Sequence, residues 1–341
     1  VKAADAFLIH YVEDNGESHI IMVDSGNYDD ADKILTHIRT HYDKVKKSGW
    51  SGYVIDAAIV THPDDDHIGG FVHILENLQA GKLYDICFNC FWVNDPTKHE
   101  FVPNDVQRIQ TQKSLDARLK CVYNYKEDSK KNLLDLIDSA GIARTEVFAG
   151  DYLDEPQITI ISPTRDFYES LLPKFRNKLN FHWALEALEE NSYSSKDDIS
   201  DETTLSKTLD DATDDTSAHN QSSIVFLLET DEKQKFLFTG DAGRDAFNHV
   251  PQTLLGKVKD VTWMKVPHHG SKHNLDSTII KHVNPEIAYI STEKQGKYLN
   301  RSTVFALKKN GTKVYSTSQN RSTIRHGAIK TREGWTKIEP M

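Results

Sequence analysis

The stretch Thr61-His62-Pro63-Asp64-Asp65-Asp66-His67-Ile68-Gly69-Gly70 decides how this chain is read. It follows Tyr53 to Val60, an apolar run that predicts a buried strand. It precedes Ile68 to Leu78, whose apolar spacing predicts a helix. A tight strand-to-helix turn with His62, Asp64, Asp66 and His67 at i, i+2, i+4 and i+5 points imidazoles and carboxylates into one cavity. These are the donors that divalent ions take. On this spacing His62 and Asp64 are expected to hold one ion, and Asp66 and His67 its neighbour. Two ions roughly 3.5–4 Å apart activate a shared water at neutral pH. Gly69 and Gly70 allow close packing behind the ligands. The plainer reading, an acidic turn that caps the next helix, uses the same aspartates.

Two later segments weaken the plainer reading. Asp241 follows the apolar run Lys235 to Phe238 and a glycine, where a carboxylate can bridge two ions. His268-His269-Gly270-Ser271 follows Val261 to Val266, where an imidazole can complete the second ion. Around these motifs, predicted strands and helices alternate. Hairpins are expected at Ala6 to Val12 with Ser18 to Val23, and at Ser222 to Glu229 with Lys235 to Phe238. Helices are expected over Asp29 to Lys47, Pro103 to Leu119, Lys126 to Ala140, Phe167 to Glu190 and Val304 to Lys309. Further strands are expected at Tyr84 to Trp92, Gln157 to Ile161, Ile287 to Ile290, Lys313 to Tyr315 and Ser322 to Ile329. The pattern implies an α/β protein whose sheets are covered by helices.

Composition sets the outer bounds. The 341 residues carry 41 Lys+Arg and 51 Asp+Glu, a formal net charge of -10, which excludes a uniformly basic nucleic-acid coat. The charge is unevenly placed. Lys265 to Lys330 carries 12 Lys/Arg against 3 Asp/Glu, and Glu186 to Asp215 carries 11 Asp/Glu against 2 Lys. Asn191 to Ser217 is rich in Ser, Thr and Asp without apolar periodicity, so it is expected to be an irregular, mobile insertion. No apolar run approaches the ~20 residues of a membrane helix. Three cysteines argue against a disulfide framework and for a reducing, cytoplasmic setting. Cys87-Phe88-Asn89-Cys90 is expected to supply buried thiols with sulfurs on opposite strand faces, not a zinc or redox site.

Asp24-Ser25-Gly26, the Thr61 to Gly70 stretch, Phe238-Thr239-Gly240-Asp241 and Val266-Pro267-His268-His269-Gly270-Ser271-Lys272 together resemble the metallo-β-lactamase superfamily. Within it the chain is most similar to the soluble hydrolase domain of ComEC-type competence proteins. That branch shares an Asp, here Asp64, in place of the usual second His. It also shares an Asn-x-x-Ser segment, here Asn220-Gln221-Ser222-Ser223-Ile224-Val225, where others carry a His ligand. The resemblance runs from about Ala4 to Ile329. It implies an αββα four-layer sandwich, one domain over residues 1–341, interrupted by the acidic insertion at about 186–217.

The resemblance also implies roles. His62 and Asp64 bind the first of two divalent ions, Zn²⁺ or Mn²⁺. Asp66 and His67 bind the second, and Asp66 orients the attacking hydroxide. Asp241 bridges, and His268 completes the second ion. His269 is the lesser ligand of the pair and contacts substrate or donates a proton. Asn220, or His219 if the register slips by one, lies near the first ion, with Asp24 and Asp5 as further ligands or supports. Ser271, Lys272, Lys294, Lys297, Asn300 and Arg301 are expected to meet substrate. Two departures stand out: Lys2-Ala3-Ala4 replaces the family's glycine-rich entry before Asp5, and Tyr298-Leu299-Asn300-Arg301 lacks the His that often follows. The carboxylate-rich donor set shifts preference toward Mn²⁺, while the superfamily favours Zn²⁺.

The implied activity is hydrolysis of a phosphodiester of DNA or RNA, because two ions stabilise both oxygens of an in-line displacement and the basic C-terminal stretch begins at the ligands. A small nucleotide or phosphocholine ester is the alternative, because the acidic insertion would repel a long polyanion as an electrostatic gate. A metal-binding regulatory subunit of a multi-protein prokaryotic defence system is a second alternative. No membrane partner is expected.

Overall fold

The computed structural model describes residues 3–47, 49–99, 112–175, 208–292, 299–318, 324–326 and 333–341. They divide into two compact units: residues 4–147 with 169–175, and residue 3 with 148–168 and 208–341.

The first unit opens with an antiparallel hairpin, β1 (Phe7–Val12) and β2 (Ser18–Val23). β2 pairs in parallel with β5 (Ala57–Ile59), β5 with β7 (Cys90–Trp92), and β7 with β8 (Ala143–Thr145), making a five-stranded sheet. A second sheet holds β3 (Val45–Lys47), β4 (Trp50–Ile55) and β6 (Ile86–Phe88).

The runs expected as single strands, Tyr53 to Val60 and Tyr84 to Trp92, are each broken in two, at Asp56 and at Asn89, where the chain changes sheet. Polar bonds hold both breaks. Asp56 Oδ2 accepts from Ile20 N (3.0 Å), and Asn89 Nδ2 donates to Asp56 Oδ1 (3.1 Å). The break also corrects the expectation of buried thiols: Cys87 is exposed on β6 while Cys90 lies on β7, and both are free, as is Cys121.

Helix boundaries differ from expectation where local caps win. The first helix runs only from Ala31 to His41, and Val45–Lys47 is a strand instead. The helix expected from Lys126 begins at Leu133, because Asn132 Oδ1 accepts from Leu134 N and Asp135 N as an N-cap. The helix expected from Phe167 runs from Arg165 to Leu171 and tightens at Pro173. Of the helix expected over Pro103 to Leu119, Gln112–Leu119 is described.

The helix Asp65–Gln79 buries Ile68, Phe71, Val72 and Leu75. Their i, i+3, i+4, i+7 spacing makes one apolar face, and full burial contributes roughly 1.5–3 kcal/mol per side chain. This helix fixes the motif at its start. A Cβ on Gly70 would lie 2.2 Å from Ser25 O, so only glycine lets the Asp24–Gly26 turn dock here.

The second unit is a seven-stranded sheet ordered β15-β14-β13-β12-β11-β10-β9. β9 (Tyr152–Leu153), β10 (Gln157–Ser162), β11 (Val225–Glu229) and β12 (Lys235–Phe238) are antiparallel neighbours. β12, β13 (Trp263–Lys265), β14 (Ile287–Ile290) and β15 (Lys313–Ser316) are parallel. A short pair, β16 (Ile324–Arg325) with β17 (Thr336–Lys337), lies apart from it. The carboxyl ends of β12, β13 and β14 therefore share one sheet edge. β11 runs the other way, so its amino end joins them. That topology gathers Asn220, Asp241, His268, His269 and Ser291 at one edge, the usual place for ligand chemistry in parallel sheets. Residues 208–217, expected to be irregular and mobile, are instead tied to this edge by the bonds described below.

Candidate metal centre

In the first unit, the motif histidines are set by hydrogen bonds. Asp24 is buried and in a left-handed backbone conformation (φ 53°). Its Oδ1 accepts from Thr61 N (2.8 Å), and its Oδ2 accepts from Thr61 Oγ1 (2.7 Å) and faces His67 Nδ1 at 2.7 Å. A carboxylate only accepts, so His67 carries its proton on Nδ1 and its lone pair on Nε2. Thr61 Oγ1 gives its single proton to Asp24. It must therefore accept from His62 Nδ1, 3.0 Å away, which puts the lone pair of His62 on Nε2 as well.

The two rings lie 4.1 Å apart between centroids. Both are buried, and Asp64 Oδ2 is 3.8 Å from His62 Nε2. Asp64 is the N-cap residue of the helix, yet its side chain makes no cap bond; its carbonyl takes His67 N and Ile68 N instead. The plain capping reading of this aspartate therefore fails. Asp5 is fully buried, with a carboxylate oxygen within 4.8 Å of a ring nitrogen of His67. Asp66 stands in the first helical turn, and its carbonyl accepts from Asp5 N (3.2 Å).

In the second unit, Asp241 Oδ1 accepts from Lys265 Nζ (3.0 Å) and from His268 N (3.2 Å). Lys265 is 1% exposed and also donates to Gly240 O. This buried ion pair fixes one carboxylate oxygen, and the other, Oδ2, lies 3.9 Å from His269 Nε2. His269 Nδ1 donates to Ser291 O (2.8 Å), so its lone pair too is on Nε2. Three histidines thus share one tautomer, each set by a group other than a metal ligand, the arrangement that carboxylates and carbonyls impose on metal-binding imidazoles.

The Nδ1 of His268 has different partners. It lies 3.2 Å from Asp215 Oδ2, 3.2 Å from Asn274 Oδ1 and 3.4 Å from Asn220 Nδ2. Both His268 (φ 45°) and His269 (φ 52°) have left-handed backbones, a strained conformation for non-glycine residues. Burial would push the Asp215 carboxyl up, but hydrogen bonds from His268, Asn220 and Ser217 hold it below the ordinary range. Asn220 Nδ2 donates to Asp215 Oδ2 (2.8 Å), which fixes the amide so that Oδ1, buried and without a hydrogen-bond partner, is presented as a neutral oxygen donor. That atom, with the three Nε2 lone pairs and the carboxylates of Asp5, Asp64 and Asp241, is a mixed N/O donor chemistry that fits divalent metal in each unit.

The expected substrate residues divide. Ser271 is buried and accepts from His273 N through its Oγ (3.2 Å). Asn300 caps the helix Arg301–Lys309 through Ser302 N and leaves Arg301 exposed at its start. Lys272 is half-buried, and its carbonyl accepts from Arg244. His219 is buried beside Asn220 on the turn Ala218–Gln221. Lys294 and Lys297 lie outside the described residues. Sequence reasoning missed Thr61, Lys265, Asp215, Asn274 and the Ser291 carbonyl as site residues. Only Lys265 gave a signal, a lysine inside an apolar strand three residues before His268.

Residues 3–106 match the family model described as the metallo-beta-lactamase superfamily. A stretch of 128 residues is 30% identical to ComE operon protein 3 of Bacillus subtilis (strain 168); it is 37% of this chain and 16% of that protein. Among solved structures, the metallo-beta-lactamase fold protein YhfI from Bacillus subtilis is similar with a TM-score of 0.41 and 10% identity, over 93% of this chain and 89% of that one. Among the described residues, no helix is long and apolar enough to cross a membrane.

Proposed function

From a chain that carries a metallo-β-lactamase domain and that fold, we propose a metal-dependent phosphodiesterase with two divalent ions, Zn²⁺ or Mn²⁺, acting on nucleic acid or a smaller phosphodiester. The observation that carries this reading is the shared tautomer of His62, His67 and His269. Asp24, Thr61 and Ser291 fix all three rings through Nδ1, with the lone pair on Nε2. In the first unit His62, Asp64, Asp66 and His67 are the proposed ligands, with Asp5 near His67; in the second unit they are Asp241, His269 and Asn220, and His269 takes the ligand role expected of His268. When bound, the ions supply Lewis acidity and a nucleophile from water at neutral pH.

The chain's own residues do the rest. Asp24 and Thr61 hold the His62 and His67 rings. Lys265 holds Asp241 and balances its charge. Arg301, at the exposed start of its helix, and Lys272 supply cations for an anionic ester, within a stretch carrying 12 Lys/Arg against 3 Asp/Glu. The smaller ester is favoured by one observation: Asp210, Asp214 and Asp215 are held at the same loop as Lys272, where their charge opposes a long polyanion. Free thiols at Cys87, Cys90 and Cys121 support a reducing, cytoplasmic setting.

The test is hydrolysis by purified protein loaded with Mn²⁺ or Zn²⁺. The substrates are single- and double-stranded DNA, RNA, bis(p-nitrophenyl) phosphate, and nucleotide and phosphocholine esters. Metal-dependent turnover of at least one phosphodiester, abolished by Asp241→Ala, is expected. No turnover of any of them at two ions per chain rejects the reading and favours a regulatory metal-binding subunit.

A further inference from the structure

The β1–β2 hairpin gathers a second set of metal-ligating side chains in the first unit, outside the Thr61 to Gly70 motif. Glu13 and Glu17 stand opposite each other at its tip, where Glu13 N donates to Glu17 O (2.9 Å) and Gly16 N to Glu13 O (2.8 Å). Tyr11 pairs with His19 across the strands, so strand alternation puts Tyr11, Glu13, Glu17 and His19 on one face. Like charges directly opposite each other destabilise a hairpin. Among the described residues, no lysine or arginine pairs with either glutamate. Yet both carboxylates and the His19 ring each bring a ligand atom within 4.8 Å of the others.

The ring and one carboxylate meet without hydrogen bonding. His19 Nε2 is shielded from solvent and lies 3.1 Å from Glu13 Oε1, but it has no hydrogen-bond partner. A simple ion pair would align the ring N–H with that oxygen and would leave Glu17 unopposed. Two donors on one ion, at bonds of about 2.0–2.2 Å and angles of about 90–110°, stand about 2.9–3.5 Å apart and aim at the ion instead of each other.

The surroundings hold the three groups in place. His19 Nδ1 faces Asp56 Oδ2 at 3.4 Å, and Asp56 is itself fixed by Ile20 N and Asn89 Nδ2. A carboxylate at the far nitrogen of an imidazole keeps the proton there and leaves Nε2 for a metal. Asn15 Nδ2 donates to Glu13 Oε2 (3.0 Å), while Asn15 Oδ1 accepts from Glu17 N (2.6 Å). The Tyr11 ring stacks on His19, 4.9 Å between centroids.

We propose that Glu13, Glu17 and His19 form a separate site for a divalent transition ion, Zn²⁺ above all, which clips the two strands of the hairpin together at the tip. One imidazole nitrogen with two carboxylates is a donor set that suits Zn²⁺. The site does not rest on the phosphodiesterase reading.

The experiment is a Zn²⁺ titration of the full chain followed by histidine-ring ¹H–¹⁵N spectra, with His19→Gln assigning the His19 signal. Each ring reports its own site, so ions taken by His62, His67 or His269 are told apart from one taken by His19. Zn²⁺ is expected to move His19 Nε2 to a metal-bound position while Nδ1 keeps its proton. Glu13→Gln and Glu17→Gln are each expected to weaken this step at least about tenfold. Asp14→Asn, on the same turn but outside the set, is expected to stay within about twofold. Unchanged His62 and His67 resonances in the metal-free variants report that the fold is kept.

A His19 ring that does not respond to millimolar Zn²⁺ overturns the proposal in the wild-type protein alone. So does a response that Glu13→Gln and Glu17→Gln leave at wild-type affinity, because that is adventitious binding to a lone imidazole. Equal weakening by Asp14→Asn overturns it too, since general surface charge would then account for the binding.

Discussion

Oδ2 of Asp24 lies 2.7 Å from Nδ1 of His67, and both residues are buried. The same oxygen accepts from Thr61 Oγ1, which in turn accepts from His62, so one carboxylate sets two imidazoles. Asp24→Ala is expected to weaken metal binding by about 10–100-fold, the usual effect of losing an orienting partner. Thr61→Val, which releases His62 alone, is expected to cost less. Competition with a chelator measures both, and wild-type affinity in Asp24→Ala contradicts the account.

Lys265 and Asp241 form a nearly inaccessible ion pair, 1% and 5% exposed. Removing one partner of such a pair leaves an uncompensated buried charge and costs roughly 3–5 kcal/mol. Lys265→Met is therefore expected to lower the unfolding free energy of the metal-free protein, read from urea melts, by that order. A divalent cation on Asp241 would replace the lost positive charge, so added Mn²⁺ is expected to recover part of the loss. A variant as stable as wild type without metal removes this role.

His99 is held between two carboxylates, with Nε2 2.8 Å from Glu146 Oε1 and Nδ1 2.9 Å from Glu169 Oε1. Both nitrogens meeting acceptors requires an imidazolium. Burial alone pushes this ring down, but the bonds to Glu146 and Glu169 outweigh it and raise its pKa. For Glu146, burial pushes up, and the bonds from His99 and Asp95 N, with Lys98 nearby, bring the net value below the usual range. The histidine's contribution to stability is therefore complete below its ordinary value, about 6.5. It is lost as pH rises through the raised folded value. The glutamate's contribution is complete above its ordinary value of 4.5 and is lost as pH falls through the depressed one. Thermal melts of wild type and His99→Gln from pH 5 to 9 test this: the wild-type advantage is expected to shrink on the alkaline side, and an advantage that grows there contradicts it.

Arg244→Lys keeps the charge but cannot reach Leu275 O, Ala212 O, Leu209 O and Lys272 O with one ammonium. Losing several buried hydrogen bonds is expected to destabilise by about 2–4 kcal/mol. It should also expose 208–217 to limited proteolysis before the rest of the second unit. Cleavage at wild-type rates would show that these bonds carry no stability.

The motif Thr61 to Gly70 and the hairpin Phe7–Val12 with Ser18–Val23 were legible because period-two and 3.6-residue patterns are local. The break at Asp56 was not, because it depends on Ile20 and Asn89, which lie far along the chain. The late start of the helix at Leu133 depends on a competing Asn132 cap that an apolar pattern does not show. His268 and His269 are adjacent and identical in type, yet Nδ1 of one meets Asp215 and Nδ1 of the other the Ser291 carbonyl, partners that lie far along the chain. Asp215 was hidden among like acidic residues, and only its burial beside Asn220 and Asn274 separates it from them.

The most direct test is an anomalous-difference map from crystals grown with Mn²⁺ or Zn²⁺, read together with metal content per chain. Two ions are expected, with peaks bonded to the Nε2 edges of His62, His67 and His269 while their Nδ1 atoms keep Thr61, Asp24 and Ser291. No peak at these edges, or coordination through Nδ1 with those three bonds broken, would contradict it.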